Sequence, residues 1–162
     1  MSGTESDPVL RAARPDDDTF LLDVYASTRA DELALTPWTT TQRDAFLRMQ
    51  FEAQRQHYSQ QHPEQELAVV ELAGSPIGRL WVARKKTEIR ILDLTIVPSH
   101  RGRGVGTRLL EDLMSEASGA GKELTIYVEG YNRSIGLFHR LGFLKTGESG
   151  FSHLLSWKKQ SS

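Results

Sequence analysis

The residues best equipped for chemistry lie in one stretch, Leu92-Asp93-Leu94-Thr95-Ile96-Val97-Pro98-Ser99-His100-Arg101-Gly102-Arg103-Gly104-Val105-Gly106-Thr107. An apolar, β-branched run ends at Pro98. Three alternate glycines follow, and helical spacing begins among them at Val105, Leu109, Leu110 and Leu113. Amides at a helix start have no intrahelical acceptor, and the aligned peptide dipoles add partial positive charge there. Glycine lets the main chain approach a ligand with no side chain in the way. Arg101 and Arg103 add guanidinium donors at the rim, suited to a diphosphate. The pattern predicts an anion cradle. Glycines alone would favour a tight turn with solvated arginines; three alternate glycines with two arginines, an apolar strand before them and an amphipathic helix after them favour the cradle. The glycine spacing lacks the further residue that a dinucleotide fingerprint needs before its last glycine. No Gly-Lys-Ser/Thr follows for a nucleoside-triphosphate loop.

The remaining chemistry-bearing residue types exclude more than they suggest. Cysteine is absent, which rules out disulfides, thiolate metal sites and a cysteine nucleophile, and makes a reducing, cytoplasmic setting the expectation. His57, His62, His100, His139 and His153 are scattered without metal-ligand spacing, so no metal is expected. With 20 basic and 21 acidic residues the formal net charge is −1, giving no global attraction to nucleic acid or anionic membrane. Arg84-Lys85-Lys86 is too short to change that. No run approaches the roughly 18 apolar residues of a membrane span. Residues 1–8 are polar and acidic, unlike a signal peptide.

These residues must be positioned by a single domain, since 162 residues suffice for one sizeable core. The domain is expected to span 1–162, with 1–8 and 159–162 as frayed ends. Alternation predicts strands at 9–14, 67–72, 77–83, 88–97, 123–129 and 151–158, with a turn at 73–76. Helical spacing predicts helices from about residue 16 to 29, from 39–41 to 57, over 104–117 and over 132–141, the third stopped by Gly119-Ala120-Gly121. Short connections between residues 67 and 97 imply an antiparallel meander. A strand–helix–strand unit after it implies a mixed sheet in an α/β sandwich.

Two blocks resemble the GCN5-related N-acetyltransferases (GNAT). The acyl-CoA signature of that family is Arg or Gln, two residues, Gly, one residue, then Gly or Ala; here it reads Arg101-Gly102-Arg103-Gly104-Val105-Gly106, preceded by the Val-x-Pro-like Ile96-Val97-Pro98. A second block is echoed from Asn132 to Phe143. The resemblance implies an α/β acyl-CoA N-acyltransferase fold, with a mixed, mostly antiparallel sheet of about seven strands flanked by about four helices. It implies acetyl-CoA as cosubstrate, no metal, and transfer to a primary amine of a small molecule or peptide by direct attack on the thioester. Neither nucleic acid nor membrane is an expected partner; a homodimer, common in the family, would be compatible with an open sheet edge.

Carried over residue by residue, the resemblance assigns the CoA pyrophosphate to Arg101, Gly102, Arg103, Gly104, Val105, Gly106 and Thr107. The pantetheine falls to Leu94, Thr95, Ile96 and Val97, with Asn132 and Phe138 beside it. A carboxylate base is implied, with Asp93 the first candidate and Glu88 and Glu129 weaker ones. Each has a plainer alternative: Asp93 pairing with Arg79 or Arg90, Glu129 as a solvated strand end, and Asn132 as a helix cap. Trp38, Phe46 and Tyr58 stand either along an acceptor wall or in the core. Phe138 departs from the family, many of whose members place there a tyrosine that protonates the leaving thiolate; water, Tyr127, Tyr131 or Ser134 would have to substitute. That departure leaves open a catalytically weak acyl-CoA sensor or scaffold. A nucleotide-binding protein remains a third reading of the glycine loop.

Overall fold

Residues 77–83, apolar but for Gly78 and Arg79, form a strand near the centre of the sheet that is buried on both faces. The computed structural model describes residues 7–160. It begins with β1 (Val9–Ala12), a 3-10 turn (Pro15–Asp17), α1 (Asp18–Ala34) and α2 (Thr40–Gln61). The meander follows as β2 (Gln65–Leu72), β3 (Ser75–Arg84) and β4 (Glu88–Ile96), then a second 3-10 turn (Pro98–His100) and α3 (Val105–Ala120). The chain closes with β5 (Glu123–Glu129), α4 (Ile135–Arg140), β6 (Leu144–Ser149) and β7 (Ser152–Trp157). One seven-stranded sheet has the order β1-β2-β3-β4-β5-β7-β6, antiparallel throughout except for the β4–β5 pair. This is the mixed sheet with four helices that was expected.

Helices cover both faces. Leu80, Ile89, Ile91, Leu109, Leu110 and Phe143 form the core beneath α3 and α4, while Leu21, Tyr25, Leu47, Phe51 and Val69 form a second core beneath α1 and α2. β3 runs between the two, so it is buried continuously from Ile77 to Ala83.

Several boundaries differ from expectation for identifiable reasons. Ala73 and Gly74 take positive φ of 51° and 80°, so two residues complete the hairpin and Ser75 and Pro76 join β3. Gly121, at φ 67°, ends α3 by returning its amide to Ala117 and Ser118, whereas Gly119 lies within the helix. Thr39 and Gln42 form a reciprocal capping box at the start of α2. α4 is shorter than 132–141 because Asn132 first makes a side-chain turn, its Oδ1 accepting from the Ser134 amide at 2.8 Å. β6 was not among the strands read from alternation. It is an edge strand with its side chains largely exposed, so nothing imposes a hydrophobic period on it. Of the two ends expected to fray, residues 1–6 and 161–162 lie outside the described residues.

A polar clamp fixes the sheet's first edge. Arg11 Nη1 and Nη2 each donate to Asp17 at 2.8 Å, its Nε donates to Glu71 at 2.8 Å, and the Arg14 amide donates to Asp17 at 2.7 Å. The Arg11 hydrogen bonds lead in lowering the Asp17 carboxyl to about 2. A lowered carboxyl pKa stabilises the fold fully above the unfolded value of about 3.9 and loses that contribution as pH falls toward 2. Asp17→Asn is therefore expected to be less stable than the parent at pH 7, with the gap closing between about pH 4 and pH 2. Denaturant titrations at a series of pH values check this, and a gap independent of pH would refute it.

Candidate active site

The site is built where two neighbouring strands part. β4 and β5 pair in parallel only from Glu88 opposite Glu123 to Ile91 opposite Ile126. Beyond that, β4 stays with β3 to Ile96 and β5 stays with β7 to Glu129. The division coincides with a register shift: Trp81 opposes Asp93 while Val82 opposes Ile91, leaving Leu92 as an additional residue. Such a bulge bends its strand and increases the local twist. The Leu92 carbonyl accepts from the Tyr58 hydroxyl of α2 at 3.2 Å. Burial, reinforced by the nearby Asp93 charge, raises the pKa of that hydroxyl, keeping it a donor.

The parted strands open a cleft of about 780 Å³. The glycine loop forms its mouth. Gly102 and Gly104 adopt φ of 75° and 81°, and Gly104 caps α3 without any side-chain hydrogen bond. No acidic residue occupies the first turn of α3, and its first backbone bond runs from the Arg108 amide to the Gly104 carbonyl at 3.0 Å. A Cβ placed on Gly102, Gly104 or Gly106 would meet nothing within 4 Å, so the space above the loop is open. Val105 turns its side chain into the core, leaving its amide at the helix start. Arg101 Nε donates to the Ile96 carbonyl at 2.9 Å, tying the loop to the end of β4. Gly102, Gly104, Gly106, Thr107 and Arg101 all line the cleft; Arg103 is exposed outside its lining.

Along β4, Leu94, Thr95 and Ile96 line the cleft, but Val97 does not. The Val97 amide donates to Ile77 at 2.8 Å and its carbonyl accepts from His100 at 3.0 Å, so both main-chain groups are engaged within the fold.

The three carboxylates separate clearly. Asp93 Oδ2 accepts from Arg79 Nε at 2.6 Å and from Thr95 Oγ1 at 2.9 Å. The anticipated pairing with Arg79 therefore forms, while Oδ1 has no hydrogen bond among the described residues. Asp93 lines the cleft. Glu129 ends β5 at the cleft rim and is exposed. Glu88 lies at the opposite, paired end of β4 and is absent from the cleft lining. It is occupied by Arg90 Nη2 at 3.1 Å and Thr125 Oγ1 at 3.1 Å. The structure does not bring Glu88 to the other candidates.

Phe138 lines the cleft and packs edge-on against Phe143, centroids 5.2 Å apart. Asn132 and Ser134 line it too, linked by Asn132 Oδ1 accepting from the Ser134 amide and hydroxyl. Tyr127 also lines it, whereas Tyr131 does not. Trp38 and Phe46 pack against each other with tilted rings, centroids 4.9 Å apart, at the edge of the smaller core and outside the cleft lining. Unforeseen as walls were Tyr25, Thr28, Arg29 and Glu32 of α1 and Gln54 of α2. The sequence presents Arg79 only as a partner for Asp93. It is 1% exposed, bonded also to Gln54 at 3.2 Å, and flanked by the Tyr25 and Trp81 rings at 5.7 and 5.6 Å. A lone arginine in an apolar strand was the available signal, because a buried cation must find partners.

The Acetyltransferase (GNAT) family model matches residues 28–143 of the sequence. The chain belongs to the GNAT acetyltransferase family. No curated protein matches it by sequence. Solved GNAT-type structures share its fold at low identity. PaiA N-acetyltransferase from Thermoplasma acidophilum, solved in complex with coenzyme A, aligns with TM-score 0.70 and 16% identity, covering 94% of this chain and 99% of that one. An acetyltransferase from Thermus thermophilus aligns at 0.67 and 20% identity, covering 93% and 96%. The histone acetyltransferase HPA2 and related acetyltransferase from Corynebacterium glutamicum ATCC 13032 aligns at 0.66 and 22%, covering 96% and 98%. Among the described residues, no helix is long and apolar enough to cross a membrane.

Proposed function

We propose that this GNAT protein transfers an acetyl group from acetyl-CoA to a primary amine of a small molecule or peptide, by direct attack on the thioester. The observation that carries the reading is one cleft uniting an uncapped, open glycine cradle with a strand edge that has lost its neighbour. Those features fit coenzyme A. The amides around Gly102 to Thr107 suit its diphosphate. The β4 edge beyond Ile91 suits its extended amide-bearing arm, which can lie along a strand as a peptide does. When bound, the cosubstrate supplies an acetyl thioester.

The chain's own residues supply position and proton transfer. An alkylammonium, with a pKa of about 10, must lose a proton before its nitrogen can attack. Asp93 Oδ1 receives that proton, directly or through water, while Arg79 and Thr95 hold the other carboxylate oxygen and fix its orientation. Glu129, at the rim, is the second candidate. Phe138 packs beside the arm and has no proton to give. A thiol has a pKa of about 8.5, so its thiolate can depart unaided, though more slowly than with an acid.

Calorimetry with coenzyme A and acetyl-CoA, followed by thiol-release assays across an amine panel, tests the reading. Expected are micromolar or tighter binding and amine-dependent release; indifference to coenzyme A at millimolar levels would overturn it. Phe138 motivates the second reading, an acyl-CoA sensor or scaffold. Tight binding with no amine-dependent release would select that reading instead.

A further inference from the structure

A second cavity, of about 450 Å³, adjoins the cleft where β4 and β5 part. Tyr58, Leu92, Tyr127 and Ser152 line both spaces. The rest of its wall is His57, Gln61, His62, Arg90, Ile91 and Ser149, with no aspartate or glutamate. Arg90 lies over the Tyr127 ring at 4.9 Å. Its Nε donates to Thr125 at 2.7 Å and its Nη2 to Glu88 at 3.1 Å, while Nη1 has no hydrogen bond among the described residues. His62 Nδ1 is buried without a partner. Burial lowers the pKa of the His62 ring, and Lys85, Arg90 and His57 lower it further against the single opposing charge of Glu64. Lys85 and Arg90 are each paired, with Glu64 and Glu88 respectively, so the character of the space is set by the donors on its own wall.

Resting on the acetyl-transfer reading, we propose that this cavity receives the distal end of the acceptor and that this end is a carboxylate, making the substrate an amino-carboxylic acid and not a polyamine. A carboxylate only accepts hydrogen bonds, and the wall offers donors: Arg90 Nη1, the two serine hydroxyls and a neutral imidazole N–H. A second ammonium would instead face Arg90 with no lining acid to neutralise it. The amine then lies at the junction of the two spaces, beside the Asp93 side of the cleft.

The test compares 5-aminopentanoate, pentylamine and 1,5-diaminopentane, which differ in distal charge at similar length, by acetyl-CoA-dependent thiol release. The expected kcat/KM for the amino acid exceeds that for pentylamine by about tenfold or more, with the diamine poorest. Arg90→Gln is expected to bring the amino acid to pentylamine ratio close to one. Because Arg90 also braces Thr125 and Glu88, a second measurement uses the unmodified chain saturated with coenzyme A. NMR titration of the His62 ring should show its pKa raised by 5-aminopentanoate and unmoved by pentylamine, whether or not turnover is detected. Preference for the diamine, survival of the ratio in Arg90→Gln, or an unmoved His62 would each overturn the proposal. Triglycine outperforming 5-aminopentanoate would support the carboxylate and place it on a peptide C-terminus. Failure to bind coenzyme A in the same preparation would overturn the acetyl-transfer reading itself; binding without charge preference would overturn only this inference.

Discussion

Gly106→Leu is expected to weaken coenzyme A binding by at least about 100-fold while leaving the protein as stable as the parent, or slightly more so. The two effects have separate physical origins. Gly106 lies in the first turn of α3 with no positive φ, and a Cβ there meets nothing within 4 Å. A leucine therefore fits the backbone, and replacing a helical glycine usually gains about 0.5–1 kcal/mol. Its side chain nevertheless occupies the space over the unpaired amides. Losing two charge-assisted hydrogen bonds, each about 1.5–3 kcal/mol, corresponds to about 3–6 kcal/mol, hence 100-fold or more. Gly104 would be a poorer choice, because its φ of 81° makes any side chain strain the backbone as well as obstruct the site. Calorimetry and thermal melts on the same preparation read both quantities. A dissociation constant within about threefold of the parent's, in a folded variant, would remove the diphosphate from this loop.

The loop was legible because its features are local. Three glycines, a preceding strand and a following amphipathic helix occupy adjacent positions, and backbone geometry follows from them directly. The cleft was not legible in the same way. β4 mixes polar residues (Glu88, Arg90, Asp93, Thr95) with apolar ones on both sides of Ile91, so residue type does not mark Ile91 as the last residue paired with β5. The bulge at Leu92 leaves only a local trace, a break in alternation at Ile91-Leu92 that moves the polar positions from 88 and 90 to 93 and 95, and its effect on the strand pair depends on how β3 and β4 register. Tyr25, Gln54 and Tyr58 reach the site from α1 and α2, and their approach to β4 is set by tertiary packing that helical periodicity does not encode. Asp93 illustrates the intermediate case. Its strand and its ion-pair partner were foreseeable, but that only one of its oxygens is engaged became apparent from the geometry. Glu88 is the converse: it shares a strand with Asp93, yet lies at the end where β4 and β5 remain paired, so chain proximity misled where strand geometry decides.

Asp93→Asn is expected to lower kcat/KM by about 10²- to 10⁴-fold near neutral pH, with coenzyme A affinity unchanged. Loss of rate alone would not establish a base, because Asp93 is also the counterion of Arg79, which is 1% exposed. Removing one member of a buried pair can cost about 3–5 kcal/mol, so part of the loss could come from an unsettled site. The pH profile separates the two. Without a base, the variant depends on the small fraction of acceptor already deprotonated, which grows about tenfold per pH unit up to roughly pH 10. Its activity should climb along that slope and approach the parent's at high pH, whereas the parent rises less steeply. A purely structural role would scale the profile down without changing its shape. Glu129→Gln, at the exposed end of β5, is expected to change kcat/KM by less than about tenfold. A variant profile parallel to the parent's, or a larger loss at Glu129 than at Asp93, would transfer the proton-accepting role away from Asp93 and leave its carboxylate as the clamp that holds Arg79 in the sheet.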